Sequence, residues 1–156
     1  MPLNTKNIIE FLILIAGPLF QNIAYFILIY LFPYDKELIL EYMDTFDDVL
    51  TRDNKMCHFT ASNWIVNKER TKVLMIYHNI YDSWAWTGGH ADGDSDLLHV
   101  ALKEANEETS LKNLKVLNDG IFGMQIVTVD SHIKREKFVS SHVHLDCCFL
   151  LEADEN

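Results

Sequence analysis

The feature that most constrains the fold is an abrupt change in composition at Pro33. Residues 1–33 contain 22 apolar side chains and only two charged ones, Lys6 and Glu10, whose charges cancel. The whole formal net charge of −10 therefore falls on residues 34–156. We accordingly predict a hydrophobic N-terminal segment, residues 1–33, and one separable domain, residues 34–156.

The uncharged run from Phe11 to Phe32 spans 22 residues, which is long enough for a helix to cross the hydrocarbon core of a membrane. Gly17 and Pro18 interrupt this run, but membrane helices tolerate both residues because the freed backbone groups find new partners. The same run also fits apolar helices packed on the domain or on a second subunit. Two predictions therefore stand for residues 8–32, namely membrane association and a homodimer contact.

The charge balance and the cysteines limit the classes of partner and compartment. With 13 Lys and Arg against 23 Asp and Glu, the chain is not expected to bind nucleic acids in general, because that binding depends on basic side chains at the phosphates. The three cysteines Cys57, Cys147 and Cys148 show no CxxC spacing. Adjacent cysteines of a strand point to opposite faces, so no disulfide is expected between them. The cysteines favour a reducing compartment, and we predict a cytoplasmic location.

Periodicity after Pro33 predicts a mixture of helices and short strands. This mixture places the domain in the α+β or mixed α/β class. We predict a loop over 81–94 and a hairpin formed by the first two predicted strands. The predicted helices cover 35–50 and 96–109, and the predicted strands cover 58–67, 72–79, 121–129 and 142–151.

The second predicted helix carries the most informative chemistry. Glu104, Glu107 and Glu108 are three and four residues apart, so their carboxylates share one helix face and repel each other. This repulsion is expected to raise the pKa of at least one of them. Hard cations such as Mg²⁺ bind carboxylate oxygens, often together with substrate phosphates. The preceding Gly88-Gly89 pair lets the backbone approach a ligand closely. These residues indicate a metal-bridged phosphate site, although acidic helix faces are most often only solvated.

The spacing from Gly89 to Leu111 resembles the Nudix box, G-x5-E-x7-R-E-U-x-E-E-x-G-U, in which U is aliphatic. The preceding WAWTGG run (residues 84–89) resembles the W-x-x-P-G-G sequence that often precedes this box. The likeness extends over residues 34–156 and is greatest to bacterial, MutT-like members. The fixed positions of the box fall on Gly89, Ser95, Lys103, Glu104, Ala105, Glu107, Glu108, Ser110 and Leu111.

The resemblance implies a Nudix fold, in which a mixed sheet lies between helices. It also implies hydrolysis, dependent on Mg²⁺ or Mn²⁺, of a diphosphate bond in a nucleoside diphosphate linked to another moiety. By the same resemblance, Glu104, Glu107 and Glu108 are the expected metal ligands and catalytic residues. The residues expected to contact this small phosphorylated substrate are Gly88, Gly89 and Lys103.

Three departures from the box lead to an alternative function. Ser95 replaces a glutamate, Lys103 replaces an arginine and Ser110 replaces a glycine at a position that usually ends a helix in the left-handed conformation. Ser95 is also expected to cap the helix N-terminus. Nudix proteins commonly continue with a further strand and helix, so we expect a C-terminally incomplete domain. The alternative is a Nudix-like module that binds a phosphorylated ligand with weak turnover or none.

Two other groups carry metal-ligand chemistry. The HADGD segment, residues 90–94, either binds a metal ion or forms Asx turns. His142, His144 and Asp146 alternate along a predicted strand and therefore share one face. These three form either a transition-metal site or a set of hydrogen-bonded strand side chains.

Overall fold

The computed structural model describes residues 33–78, 82–118, 120–134 and 136–155. The predictions for the hydrophobic N-terminal segment fall on residues 1–32 and lie outside this described part. Among the described residues no helix combines the length and the apolar character needed to cross a membrane. The described helices are α1 (Pro33–Thr45) and α2 (Leu97–Thr109). The described strands are β1 (Cys57–Val66), β2 (Ile76–His78), β3 (Ser83–Ala85), β4 (Thr87–His90), β5 (Lys115–Val116), β6 (Gly123–Val129), β7 (His132–Lys134), β8 (Lys137–Val139) and β9 (His142–Glu152).

The central sheet is mixed, and its strand order is β4-β1-β9-β5, with β6 also paired to β9. β1 and β9 run parallel, from the pair Cys57↔Val143 to the pair Val66↔Glu152. The pairs that β4 makes with β1, and that β5 and β6 make with β9, are antiparallel. A mixed sheet accompanied by helices confirms the predicted α+β class.

The two long strands separate an apolar face from a polar one. Side chains such as Phe59 of β1 and Leu145 of β9 are buried in the main hydrophobic cluster, to which α1 contributes Ile39 and α2 contributes Val100. Because successive strand residues point to opposite faces, the intervening residues lie on the other side of the sheet. These intervening residues are polar: His58, Thr60 and Ser62 on β1, and His142, His144 and Asp146 on β9.

The predicted hairpin between residues 58–67 and 72–79 is present only at its turn. The first segment forms a strand, β1, whose longer pairings are with β4 and β9. The second segment returns antiparallel to the end of β1 through the Val66–Val73 bridge and the hydrogen bond from the Leu74 N–H to the Ile65 carbonyl oxygen. Beyond this point only Ile76–His78 forms a strand, and it pairs with β3. β4 itself lies in the region predicted as a loop. Residue type indicates a strand, but it does not reveal which strand will be the partner.

Helix α2 was predicted to within one residue, but its N-cap was assigned to the wrong residue. Asp96, and not Ser95, is the cap, and its carboxylate accepts a hydrogen bond of 3.0 Å from the His99 N–H. At the other end Ser110 adopts the expected left-handed conformation, with φ of 63°. Helix α1 ends at Thr45, five residues before the predicted end at Leu50.

Candidate active site

The Gly88-Gly89 pair is held beside α2 by the strand pairing and by one buried amide. Gly89 pairs with Ala61 across the β1–β4 ladder. On the same strand, Asn63 Nδ2 donates to Thr87 Oγ1 at 3.2 Å and to the carbonyl oxygen of Ala101 in α2 at 2.7 Å. Asn63 therefore joins β1, β4 and α2. One of its acceptors is Thr87, at the position of the proline in the W-x-x-P-G-G sequence.

The glycine pair touches two of the three glutamates. A Cβ atom added at Gly89 would lie 2.3 Å from Glu104 Cδ, so the absence of a side chain there is what lets Glu104 occupy its position. The Gly88 N–H donates to Glu108 Oε2 at 3.1 Å. A side chain at Gly88 would instead meet the Ala61 carbonyl oxygen at 2.7 Å. Both glycines are thus required by close contacts, one with a side chain and one with backbone.

Lys103 adds a positive charge to the glutamate patch, which we define as the two glycines, Lys103 and the three glutamates. Its Nζ lies 3.6 Å from Glu104 Oε1 and 3.9 Å from Glu107 Oε1. The Lys103 and Glu107 side chains are more than half exposed, so these ion pairs contribute little to stability. The structure therefore brings together all six residues singled out in the sequence: Gly88, Gly89, Lys103, Glu104, Glu107 and Glu108.

The electrostatics of the patch centre on Glu108. Partial burial raises the pKa of its carboxyl group, and the charges of Glu104 and Glu107 raise the pKa further. The hydrogen bond from the Gly88 N–H acts in the opposite direction. The expected rise from mutual repulsion is present, but burial is the larger cause.

Glu104, Glu107 and Glu108 meet part of what Mg²⁺ requires of its ligands. Within the described part of the chain, the three glutamates do not form a group whose ligand atoms converge closely enough to share one ion without movement. Mg²⁺ usually binds proteins through one or two carboxylates and keeps several waters or takes substrate phosphates as further ligands. Glu104 and Glu108, both held against the glycine pair, fit that demand, with Glu107 within reach on the exposed side.

The acids that flank Ser95 are engaged elsewhere. Asp94 accepts a hydrogen bond of 2.9 Å from the Asp96 N–H, and its other oxygen lies 2.8 Å from His99 Nδ1. The contact with the Asp96 N–H is an Asx turn, which is the alternative foreseen for the HADGD segment. Since Asp96 caps the helix, neither acid stands in for the glutamate that Ser95 replaces.

The remaining residues of the HADGD segment separate. Asp92 accepts two hydrogen bonds of 2.7 Å from Arg52. His90 instead joins two histidines of other strands, and ring nitrogens of His58, His90 and His144 all lie within 4.8 Å of one another. The HADGD segment therefore does not act as one metal-binding unit in the described structure.

His142, His144 and Asp146, which were predicted to share a site on β9, do not all contact one another. His142 and His144 meet, with their Nε2 atoms 3.2 Å apart. Asp146 does not join them, because it accepts hydrogen bonds from Thr60, Ser62 and Gln125. Sequence reasoning missed His58, which the parallel register places directly opposite His144.

Comparisons with known proteins give structural matches only. No family model matches the chain, and no curated protein sequence matches it. A hydrolase of the NUDIX family from Clostridium perfringens is 22% identical with a TM-score of 0.47, over 63% of this chain and 69% of that one. The Nudix hydrolase RenU from M. smegmatis is 16% identical with a TM-score of 0.41, over 64% and 63% of the two chains.

A third solved structure is the C. elegans Ap4A hydrolase, which is 19% identical with a TM-score of 0.42. This match covers 64% of this chain and 70% of that one.

Proposed function

We propose that this protein is a Nudix-type hydrolase, which cleaves a diphosphate bond in a nucleoside diphosphate linked to another moiety. The observation that supports this function best is the contact of the glycine pair with Glu104 and Glu108. It combines a backbone that a ligand can approach closely with carboxylates able to hold Mg²⁺ or Mn²⁺. A cation held by Glu104, Glu107 and Glu108 would neutralise the diphosphate and make a water molecule more acidic.

The chain's own residues have distinct roles in this proposal. Glu108, which the Gly88 N–H holds in place, would accept the proton of the attacking water. Lys103 offers a mobile positive charge to a phosphate oxygen, as an exposed lysine acts as a point charge and not as a bidentate donor. Gly89 leaves room for the Glu104 side chain, and the Gly88 N–H holds the Glu108 carboxylate, so the glycine pair positions two of the three glutamates.

The second candidate is a module that binds a phosphorylated small molecule in the same patch without turnover. The engagement of Asp94 and Asp96 favours this candidate, because neither of these two acids replaces the carboxylate missing at Ser95. Both candidates place the protein in the cytoplasm. Membrane attachment or homodimer contact through residues 8–32 remains a separate proposal.

The experiment is a screen of nucleotide sugars, dinucleoside polyphosphates and nucleoside triphosphates with Mg²⁺ and with Mn²⁺. For any substrate cleaved, Glu107→Gln and Glu108→Gln are expected to lower hydrolysis by about a hundredfold or more, which corresponds to about 2.7 kcal/mol of barrier. Glu37→Gln, on the exposed side of α1, is the matched control and should leave the rate unchanged.

The outcomes separate the two candidates. Wild-type turnover in both variants would contradict the catalytic assignment. Metal-dependent ligand binding by calorimetry, with no turnover of any substrate class, would favour the binding module. A thermal melt indifferent to millimolar Mg²⁺ and Mn²⁺, together with no ligand binding, would exclude both candidates.

A further inference from the structure

Four histidines from three strands meet on the polar face of the central sheet. They are His58 of β1, His90 of β4, and His142 and His144 of β9. Their ring centroids lie 4.9–5.2 Å apart in five of the six pairings. The three strands that carry these residues are far apart in the sequence. The parallel pairing of β1 with β9 and the antiparallel pairing of β1 with β4 bring the residues together.

Backbone carbonyls orient two of these rings. His58 Nδ1 lies 3.1 Å from the Asn54 carbonyl oxygen, and His142 Nδ1 lies 2.8 Å from the Ser140 carbonyl oxygen. A carbonyl only accepts, so both Nδ1 atoms carry the proton, and in the neutral ring each Nε2 keeps its lone pair. A metal-binding histidine is commonly oriented in this way, with its second nitrogen donating to a backbone carbonyl.

One of the two resulting lone pairs lacks a partner. His58 Nε2 is buried and has no hydrogen-bond partner in the described structure. His142 Nε2 lies 3.2 Å from His144 Nε2, which can donate a proton to it. A buried nitrogen lone pair without a partner is costly, and a cation placed among the rings would satisfy it.

The rings are in the protonation state that binds metal. Burial, reinforced by neighbouring positive and histidine groups, lowers the pKa of His90 to about 4 and that of His144 to about 3, and burial also lowers the pKa of His58. At neutral pH these imidazoles are therefore uncharged. The Cys147 thiol does not compete for such an ion, because Cys147 lies on the apolar face of the sheet, in the main hydrophobic cluster.

From this cluster we infer a binding site for a transition-metal ion, represented by Zn²⁺, held by His58, His90 and His144 with His142 as a fourth ligand. Zinc–nitrogen bonds of about 2.0–2.1 Å in a tetrahedral site place ligand atoms roughly 3.4 Å apart. The His142–His144 pair already has that separation. The ligand atoms of His58, His90 and His144, which lie within 4.8 Å of one another, need to approach by at most about 1.4 Å. An ion held there would fasten β4, β1 and β9 together, which gives it a structural role.

This site is independent of the glutamate patch. Its ligands are imidazoles, which suit Zn²⁺, Cu²⁺ and Ni²⁺, whereas carboxylates suit Mg²⁺ and Mn²⁺. The experiment is calorimetric titration of the EDTA-treated full chain with Zn²⁺ in the presence of excess Mg²⁺. We expect one Zn²⁺ per chain, a higher melting temperature with Zn²⁺, and visible absorption bands of tetrahedral nitrogen coordination when Co²⁺ is used.

Four variants make the test specific. His90→Gln and His144→Gln are expected to weaken Zn²⁺ binding at least tenfold. His99→Gln, which removes an exposed histidine of α2, and Glu107→Gln, which alters the glutamate patch, are expected to bind Zn²⁺ like the wild type. Circular dichroism establishes that each variant is folded before it is titrated.

The proposal is overturned if the folded wild type binds no Zn²⁺, or if His90→Gln and His144→Gln bind it unchanged. It is also overturned if Glu107→Gln loses the binding. Should the histidine variants fail to fold, the Co²⁺ spectrum of the wild type decides, because bands of octahedral oxygen coordination would exclude the histidine site. The proposed hydrolase activity is unaffected by any of these outcomes.

Discussion

Gly89 lies against the carboxyl end of the Glu104 side chain, so closely that residue 89 has no room for a methyl group while Glu104 keeps its position. The contact couples a strand of the sheet to the proposed metal-binding face of α2. It also makes the position of one carboxylate depend on a residue that has no chemistry of its own. Glycine is therefore needed at this place to make room for Glu104, and not for a left-handed backbone conformation.

Gly89→Ala is expected to displace Glu104 and to lower metal-dependent hydrolysis at least tenfold with little loss of stability. The displaced atoms are the far end of a flexible side chain, which can move at small cost. Gly88→Ala is the contrasting variant, because its Cβ would meet the Ala61 carbonyl oxygen at 2.7 Å and backbone cannot move as cheaply. Rates and urea unfolding curves measure both effects, and equal destabilisation by the two variants would contradict this account.

Ser110→Gly is expected to raise the free energy of unfolding by a few tenths to about 1 kcal/mol. Ser110 ends α2 with φ of 63°, a conformation that glycine adopts without the steric cost of a Cβ atom. Its N–H donates to the Asn106 carbonyl oxygen at 2.8 Å, and this bond is kept in the variant. Denaturant unfolding of the two proteins provides the measurement, and a less stable variant would show that the serine hydroxyl has a contact of its own.

Local features were readable from the sequence, and pairings over long distances were not. The apolar spacing and the replaced glycine located α2 and its left-handed end at Ser110, because both are set within a few residues. The N-cap was misassigned because Ser95 and Asp96 are adjacent and both are good caps. The structure selects Asp96, because its carboxylate accepts the hydrogen bond from the His99 N–H.

The histidine cluster is an example of a pairing over a long distance in the sequence. His58 and His144 are 86 residues apart in the sequence and become neighbours only through the parallel register of β1 and β9. The same unseen pairings made the predicted hairpin too long, since the region after β1 has the residue types of a full partner strand. The glutamate patch escaped this difficulty because four of its six residues share one helix and the other two, Gly88 and Gly89, closely precede that helix in the sequence.

Asp146 is expected to tolerate asparagine but not alanine. Its carboxyl group is buried and accepts hydrogen bonds from Thr60 Oγ1 at 2.9 Å, Ser62 Oγ at 2.6 Å and Gln125 Nε2 at 3.2 Å. Burial raises the pKa of this carboxyl group, although the three bonds oppose the shift. A raised pKa in the folded state means that ionisation favours unfolding, so stability falls as the pH rises from 3.8 through the folded-state pKa.

Asp146→Asn removes that ionisation and keeps an acceptor oxygen, so its free energy of unfolding at pH 7 should equal or exceed that of the wild type. Asp146→Ala leaves the hydroxyls of Thr60 and Ser62 without their acceptor and should cost about 1–3 kcal/mol. Urea unfolding at pH 7 distinguishes the two. If asparagine were as damaging as alanine, the negative charge itself would be required in the folded protein.

The charges around the histidine cluster determine how it responds to acid. Arg52 and Lys134 lower the pKa of His90, and Asp92 alone raises it. Burial is nevertheless the largest cause of the lowered pKa of His90. It is also the largest cause at His144, where the neighbouring histidines lower the pKa further. The cluster therefore resists protonation as long as the chain is folded.

Acid is accordingly expected to destabilise the metal-free protein before most carboxylates titrate. The pKa of His90 falls from 6.5 to about 4 on folding, so the unfolded chain binds the proton first and stability is lost as the pH falls below 6.5. Between pH 6.5 and 5, His90 alone should contribute about 1–2 kcal/mol to this loss, given at most about 1.4 kcal/mol per pH unit. Urea unfolding in EDTA at several pH values measures the slope. His90→Gln should flatten the slope and His99→Gln should not, and an equal slope in all three proteins would show that other groups cause the acid sensitivity.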